Sequence, residues 1–198
     1  MDKVLSTRNY GICLFSLDVL QAYLKKEGIR TKKLLLFFQK TPDKYLAALK
    51  EGVWVPFVQI DSIEYLIKLD GYDKPFSNEW EQKMEYDGFN IDIKDSLWFS
   101  DTDVFRTFDK AKYINSDEVY YQALHYPTQK MITLYSGYKY DIQSGKYLIS
   151  IKGYARKQKL KFPNPNYGFL FSLVKVNEFV SFNNPREDEI YSFNVANM

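Results

Sequence analysis

The chain has 198 residues, of which 45% are hydrophobic and 18% aromatic, and its formal net charge is +2. This composition excludes a disordered chain, which combines low hydrophobicity with high charge. One cysteine and one histidine exclude an internal disulfide and a zinc site built from Cys and His. The length fits one large domain or two small ones, and we predict the simpler arrangement, a single α+β domain.

The N-terminal stretch MDKVLSTRNYGICLFSLD contains only a short apolar run, broken by Ser and Asp. The stretch lacks a small-residue cleavage site, and its apolar run is too short to span a membrane. We therefore expect a soluble cytoplasmic protein with no membrane partner. Its oligomeric state stays open. Cys13 is interpreted as a core residue.

Helices are predicted in the first quarter of the chain, residues 1–52. Leucines at helical spacing predict a helix over residues 17–28 that ends at Gly28. Thr41-Pro42-Asp43 predicts the start of another, with Thr41 as N-cap and an end at Gly52. The apolar run between them, residues 32–39, fits a buried strand or a helix equally well.

From residue 53 to 198 the pattern favours β-structure. VWVPFVQI and IEYLIKLDGY predict a hairpin, although the second run also fits a helix, and FNIDIKDSLWF predicts a strand with one wet, acidic face. MITLYSGYKYDI and KYLISIKGYARK predict a second hairpin around Gln143-Ser144-Gly145, and NYGFLFSLVKVNEF predicts a last long strand. The predicted fold class is therefore α+β, with a largely antiparallel sheet.

No motif for catalysis or cofactor binding is complete in the sequence. Ser144-Gly145-Lys146 resembles the end of a P-loop, but Tyr140 and Tyr147 stand where that motif needs Gly and Ser or Thr. Asp101-Thr102-Asp103 begins like a calcium loop, but Arg106 replaces the glycine of the turn. His125 is interpreted as structural. We predict no catalytic residue, no metal and no cofactor.

Two other functions stay open as alternatives. Neighbouring carboxylates, such as Glu79 with Glu81 or Asp101 with Asp103, could serve an uncharacterised enzyme in acid–base chemistry like that of glycosidases. A carbohydrate-binding or nucleic-acid-binding module is the other class, and Arg156, Lys157, Lys159 and Lys161 near several tyrosines are the residues that nucleic acid would need. The overall charge of +2 argues against nucleic acid.

The near-neutral total hides a segregation of charge along the chain. Residues 61–103 have a net charge of −8, whereas residues 1–60 and residues 104–198 have +5 each. In EWEQKMEYDGFNIDIKDSLWFSDTD, residues 79–103, carboxylates alternate with aromatic and aliphatic residues. One interpretation is that the acidic middle packs beside the basic ends, and the other is that it forms a face for a basic partner.

The chain resembles the small immunity proteins encoded beside bacterial polymorphic toxins. The resemblance is carried by residues 52–99, GVWVPFVQIDSIEYLIKLDGYDKPFSNEWEQKMEYDGFNIDIKDSLWF, and by GKYLISIKGYARK, NYGFLF and NNPREDEIYSFNV further on. The resemblance is one of overall character: an α+β, Tyr-rich chain with an acidic segment that contains Trp. It implies a protein without a reaction of its own that binds one cognate toxin domain in the cytoplasm. No binding residue of that family transfers to a position here.

These observations predict an inhibitor that binds a cognate toxin domain, such as a basic nuclease, through its acidic segment. Carboxylates would steer a basic partner and an aromatic side chain would anchor it. Trp98 is the aromatic of the segment that best fits the core instead. The predicted partner-binding residues are Glu79, Trp80, Glu81, Glu85, Tyr86, Asp87, Asp92, Asp95, Asp101 and Asp103.

Overall fold

A computed structural model describes residues 2–162, 164–187 and 189–198. Three α-helices lie in the first quarter of the chain: α1 Leu17–Lys26, α2 Leu34–Lys40 and α3 Pro42–Lys50. Short 3₁₀ helices follow at Thr102–Phe105 and Lys110–Lys112. The strands are β1 Lys3–Ser6, β2 Gly11–Phe15, β3 Trp54–Val58, β4 Glu64–Leu69, β5 Trp80–Ile93, β6 Ser96–Asp101, β7 Glu118–His125, β8 Lys130–Asp141, β9 Gly145–Arg156 and β10 Tyr167–Val176. The predicted α+β class is confirmed.

Both predicted helices are present, and the ambiguous run between them is helical. Gly28 and Gly52 follow α1 and α3 with φ of +66° and +69°, the left-handed conformation that glycine tolerates at a helix end. Thr41 occupies the N-cap position of α3, but its hydroxyl donates to the carbonyl of Phe37 in α2, 2.6 Å away. Thr41 therefore joins the two helices rather than capping one.

The strands form one sheet in the order β3-β2-β6-β8-β1-β4-β10-β9-β5, with β7 attached to β8. Most pairs are antiparallel, but β1 with β8 and β4 with β10 are parallel. β1 and β2 were not predicted, because each is a short strand in a segment without clear alternation. β1 and β10, the first and last of these strands along the chain, therefore flank β4 in the sheet.

Both predicted hairpins are wrong, although their strands exist. β3 pairs with β2, whereas β4 lies between β1 and β10. β8 cannot pair with β9 because its edges are already occupied: Tyr138 has Phe99 of β6 as one partner and Glu118 of β7 as another. β9 pairs instead with β5 and β10.

Two hydrophobic clusters lie on opposite faces of the sheet. The inner cluster collects residues from β1 to β6 and from β8 to β10, with Phe57, Phe99, Phe169 and Phe171 among its largest side chains. The outer cluster packs the three helices against β2, β3 and β6 through Trp54 and Trp98. Trp98 is 1% exposed, so it belongs to the core.

The sheet curls until its two end strands meet. The backbone N–H of Asp92 in β5 donates to the carbonyl of Gly52, just before β3, over 2.7 Å. A Cβ at Gly52 would lie 2.8 Å from that nitrogen, so only glycine permits this approach. Phe193 and Val195 of the C-terminal segment complete the inner cluster. In the described part of the chain, no helix is long and apolar enough to cross a membrane.

The stretch FNIDIKDSLWF, predicted as one strand, is divided in the structure, because the chain turns at Asp95, whose φ is 143°: residues 89–93 end β5 and residues 96–99 belong to β6. The inward side of the β5 part is as expected. Phe89, Ile91 and Ile93 are buried in the inner cluster. The other side is not uniformly wet, because Asn90 is buried and its side-chain amide donates to the carbonyls of Lys50 and Ser181. The end of α3 and the C-terminal segment therefore cover this part of the strand.

Candidate functional site

The predicted acidic interface is divided among three places in the structure. Glu79, Glu81, Glu85 and Asp87 lie exposed before and along the first half of β5, and Asp92 and Asp95 lie at its far end. Asp101 is the last residue of β6, where that strand pairs with β2, and Asp103 lies in the 3₁₀ helix that follows. The carboxylates do not form one continuous acidic face.

The carboxylates of β5 lie beside basic side chains of the same region. Glu85 Oε1 is 3.0 Å from Lys152 Nζ on β9, and Glu79 Oε2 is 3.0 Å from Arg156 Nη1. Glu81 pairs with Lys83 at 2.7 Å. These bonds lower the pKa of Glu81 and Glu85 below the usual range of a glutamate. The basic partners therefore neutralise much of the field of these carboxylates.

Both aromatic residues predicted as anchors on β5 are engaged within the protein. Trp80 is 8% exposed and lies between the Phe76 ring, 4.7 Å away, and the Arg156 guanidinium, 4.5 Å away. The Tyr86 ring packs edge-on against Tyr191, and its hydroxyl accepts a hydrogen bond from the backbone of Ser192. An anchor must enter a pocket of the partner, so neither ring is presented for that role.

Asp92 and Asp95 differ in their surroundings. Asp92 is half-buried, and burial raises the pKa of its carboxyl although Lys146 and Lys94 oppose the shift. Asp95 is exposed in the turn between β5 and β6, with a φ of 143° and a carbonyl that accepts the N–H of Ile142. Asp95 therefore shapes a turn.

Asp101 is fully buried and forms an internal ion pair with Arg8. Its Oδ2 accepts from the backbone N–H and the Nε of Arg8 at 3.2 and 3.1 Å, and its Oδ1 accepts from the N–H of Asp103. Asp103 is half-buried and lies 3.3 Å from Arg8 and 3.5 Å from Arg106. This network joins the β1–β2 connection to the end of β6, so Asp101 is a structural residue.

A different surface is open to a partner: one face of the hairpin formed by β7 and β8. In its register, Tyr120 faces Tyr135 and Leu124 faces Met131, and these positions share one face because side chains alternate along a strand. Tyr120 is 61% exposed, Leu124 42% and Met131 62%. We call Tyr120, Leu124 and Met131 the hairpin face. Between Tyr120 and the Leu124–Met131 pair, Gln122 donates a hydrogen bond to the Thr133 hydroxyl over 3.0 Å, so the face alternates apolar and polar contacts of the kind that interaction surfaces use.

Beside the hairpin lies a cavity of about 600 Å³, at the point where the sheet opens. In the described residues, β1 and β8 are joined by a single pair, Leu5 with Tyr135, so the strands separate beyond it. The cavity walls are mainly apolar and aromatic, with carboxylates at intervals. We call it the β1–β8 cavity, and it is lined by Asp2, Lys3, Val4, Ser6, Glu64, Glu118, His125, Thr128, Ile132, Thr133, Leu134, Tyr135, Tyr138 and Phe162.

His125 and Phe162 form one wall of the cavity. Their rings are stacked, with centroids 4.9 Å apart, and His125 Nδ1 lies 2.8 Å from the hydroxyl of Thr128. On another wall the Tyr135 and Tyr138 rings stack at 5.3 Å, and the Tyr138 hydroxyl donates to the carbonyl of Val4. Aromatic side chains therefore line the cavity from three segments of the chain.

Glu64 is the half-buried carboxylate of this cavity. Burial raises its pKa above the usual range of a glutamate, and among the described residues no Lys, Arg or His lies within ion-pair distance of it. The lysine that also lines the cavity, Lys3, donates to the carbonyl of Lys139 and lies over the Tyr140 ring. The cavity therefore holds an acidic group without a cation beside it.

Sequence reasoning missed both features of this region. The hairpin face appears in the sequence as alternation in EVYYQALH, a stretch we did not assign to a strand. The cavity combines residues from β1, β4, the hairpin and the loop before β10, and their proximity depends on the sheet order. His125 was interpreted as structural, and the structure places it on the cavity wall.

Within the described residues, no group of three or more His, Cys, Asp or Glu side chains is arranged to hold a metal ion. Comparison with known proteins finds no match among protein-family models, curated proteins or solved structures.

Proposed function

We propose that this protein is an immunity protein: a non-enzymatic inhibitor that binds and neutralises a cognate bacterial toxin domain in the cytoplasm. The observation that carries the proposal is the hairpin face, which exposes Tyr120, Leu124 and Met131 together on a projecting pair of strands. The resemblance to immunity proteins of polymorphic toxins supplies the class of partner. No catalytic step is part of the proposal.

The chemistry of the hairpin face suits protein recognition. Tyrosine is enriched among the residues that dominate binding energy, and methionine adapts its shape to a partner's surface. The Tyr120 ring lies 6.1 Å from the Tyr135 ring, yet Tyr120, Leu124 and Met131 remain 42–62% exposed, so a partner can bury apolar area there without unfolding either protein. The projecting hairpin therefore supplies anchors that the acidic segment does not.

The acidic segment takes a smaller part in this proposal than the sequence predicts. Glu79, Glu81, Glu85 and Asp87 remain exposed and able to line the rim of an interface. Three of them already have basic partners, so their long-range attraction for a basic toxin is reduced. A rim of paired charges tunes specificity more than affinity.

The first experiment tests the function with the product of the neighbouring gene. Expression of that product alone should arrest bacterial growth, and co-expression of this chain should restore it. The purified pair should elute as one stable complex whose toxin activity is abolished. If the neighbouring product harms no cell, or harms cells equally in the presence of this chain, the proposed function is wrong.

The second experiment locates the docking surface. A Tyr120→Gln, Leu124→Gln, Met131→Gln variant should bind the toxin at least about 30-fold more weakly, which corresponds to about 2 kcal/mol for the loss of true anchors. Val174 on β10 is 59% exposed, so Val174→Gln is a matched control that changes apolar exposure elsewhere. If both variants bind the toxin equally well, the hairpin face is not part of the interface.

A third variant compares the acidic segment directly. Glu81→Lys with Asp87→Lys reverses two exposed carboxylates of β5. We expect association to slow by no more than a few-fold at low salt, because the neighbouring lysines and arginine already neutralise this region. A much larger decrease in the association rate would mean that the toxin binds at the acidic segment.

A further inference from the structure

The β1–β8 cavity has the size and the lining of a small-ligand site. Its volume, about 600 Å³, fits within the range of small-ligand sites, and its walls are mainly apolar. The aromatic rings of Tyr135, Tyr138, His125 and Phe162 line it. Faces of such rings attract cations, and apolar walls accept the methylene stem of a long side chain.

The charges of the cavity favour a cation over an anion. Asp2, Glu64 and Glu118 contribute carboxylates to its lining, against one lysine, Lys3. The Lys3 ammonium is held by the carbonyl of Lys139 at 3.1 Å and by the Tyr140 ring at 3.2 Å. Among the described residues the Glu64 carboxylate therefore has no cationic partner, and an incoming ammonium or guanidinium group would complement it.

We infer that the β1–β8 cavity binds an organic cation on an apolar stem, and that in the toxin complex this cation is an arginine or lysine side chain of the toxin. The second part rests on the proposed function. A basic toxin would then be recognised twice: its apolar surface by the hairpin face, and one long basic side chain by the adjoining cavity. The two sites share the hairpin, since His125, Ile132 and Leu134 line the cavity.

The cavity is tested first without any toxin, with butylguanidinium as the probe. His125 is the single histidine of the chain, so its ring C–H signals in a proton–carbon NMR spectrum report on this wall without overlap. Butylguanidinium should shift these signals saturably at millimolar concentration. Neutral butanol and anionic pentanoate, which have similar stems, should shift them far less. Equal shifts from all three probes would overturn the inference of a cation site.

Glu64→Gln tests the proposed recognition group. It should weaken butylguanidinium binding about tenfold and leave the small effect of butanol unchanged, because the amide keeps the shape and removes the charge. Glu79→Gln, which removes an exposed carboxylate next to β5, is the matched control and should bind the probe normally. An unchanged affinity in Glu64→Gln would overturn the role of Glu64.

The toxin complex is tested separately. Glu64→Gln should weaken toxin binding about tenfold in a chain that still carries the intact hairpin face. Binding of butylguanidinium together with unchanged toxin affinity would show that the cavity serves a free organic cation and would overturn the assignment to a toxin side chain. Failure of the toxin to bind the wild-type chain would instead reject the proposed function and leave the result with the probe standing.

Discussion

Glu85 on β5 and Lys152 on β9 are direct partners in the antiparallel register, and their charged atoms lie 3.0 Å apart. The pair shows why the acidic middle of the sequence does not become an acidic face. On β9, Lys152 lies opposite Glu85 and Lys146 lies opposite Asp92, and Arg156 forms an ion pair with Glu79 just before β5. Charges that are segregated along the chain are thus mixed again by strand pairing.

This pairing predicts the effect of a charge swap on stability. Glu85→Lys should lower the free energy of unfolding by about 0.5 to 1 kcal/mol, because like charges directly opposite each other repel. The double variant Glu85→Lys, Lys152→Glu should recover most of the loss. Urea unfolding at low and at high salt measures both, and a double variant no more stable than the single one would contradict the pairing.

Arg8→Ala should destabilise the protein by about 2 to 3 kcal/mol, because it leaves the buried Asp101 carboxylate without its cation. Arg106 provides the control, since it is largely exposed and lies 3.5 Å from Asp103. Arg106→Ala should change stability by less than about 0.5 kcal/mol. Thermal and urea unfolding compare the two, and equal effects would mean that burial of Asp101 does not depend on Arg8.

Trp80→Ala should act on folding stability rather than on toxin dissociation. Trp80 fills the space between Phe76 and Arg156, so its removal should cost about 3 kcal/mol through lost burial and a cavity. Toxin affinity, measured below the unfolding temperature, should stay within a few-fold of wild type. A stable variant with faster toxin dissociation would restore Trp80 as an anchor.

Glu64→Gln should make the free protein more stable at pH 7. Burial raises the pKa of Glu64 in the fold above its ordinary value of 4.5, so the folded state binds more protons than the unfolded state between the two values. The free energy of unfolding of the wild type therefore falls as pH rises through that window. In Glu64→Gln this loss is absent.

Urea unfolding at a series of pH values measures the difference between the two proteins. The advantage of Glu64→Gln should be smallest below pH 4.5, grow as pH rises and level off above the raised pKa of Glu64. Gln retains an oxygen that accepts hydrogen bonds, so shape and bonding are nearly conserved. A variant less stable than wild type at pH 7 would contradict the prediction.

The sequence predicts those elements of the fold that local patterns determine. Leucine spacing and terminal glycines locate α1 and α3, and alternation locates Phe89, Ile91 and Ile93 on one side of β5. Pairing between strands depends instead on which edges are free in three dimensions. The short connection from β8 to β9 predicts a hairpin, yet β6 and β7 already occupy the edges of β8.

The same distinction between local patterns and contacts with distant residues applies to the candidate site. Alternation indicates which side of a strand a carboxylate lies on, but the neighbour it meets comes from distant sequence. From the sequence alone Asp101 looks like an exposed acid, because its ion-pair partner, Arg8, lies far away in the sequence, before β2. The β1–β8 cavity likewise joins Glu64 to His125 and Phe162, which no local pattern connects.

The position of β1 in the sheet has a consequence for biosynthesis. β1 lies between β4 and β8, and β4 also pairs with β10, which follows it far along the sequence: Tyr65 of β4 is the partner of Tyr167 of β10. Long-range and parallel strand pairs form slowly, because the loop between the two strands must close, at a cost in entropy, before their contacts can form. The nascent chain therefore cannot complete its central sheet until β10 has left the ribosome. Under the proposed function, the chain would therefore have to be synthesised and folded before the toxin acts.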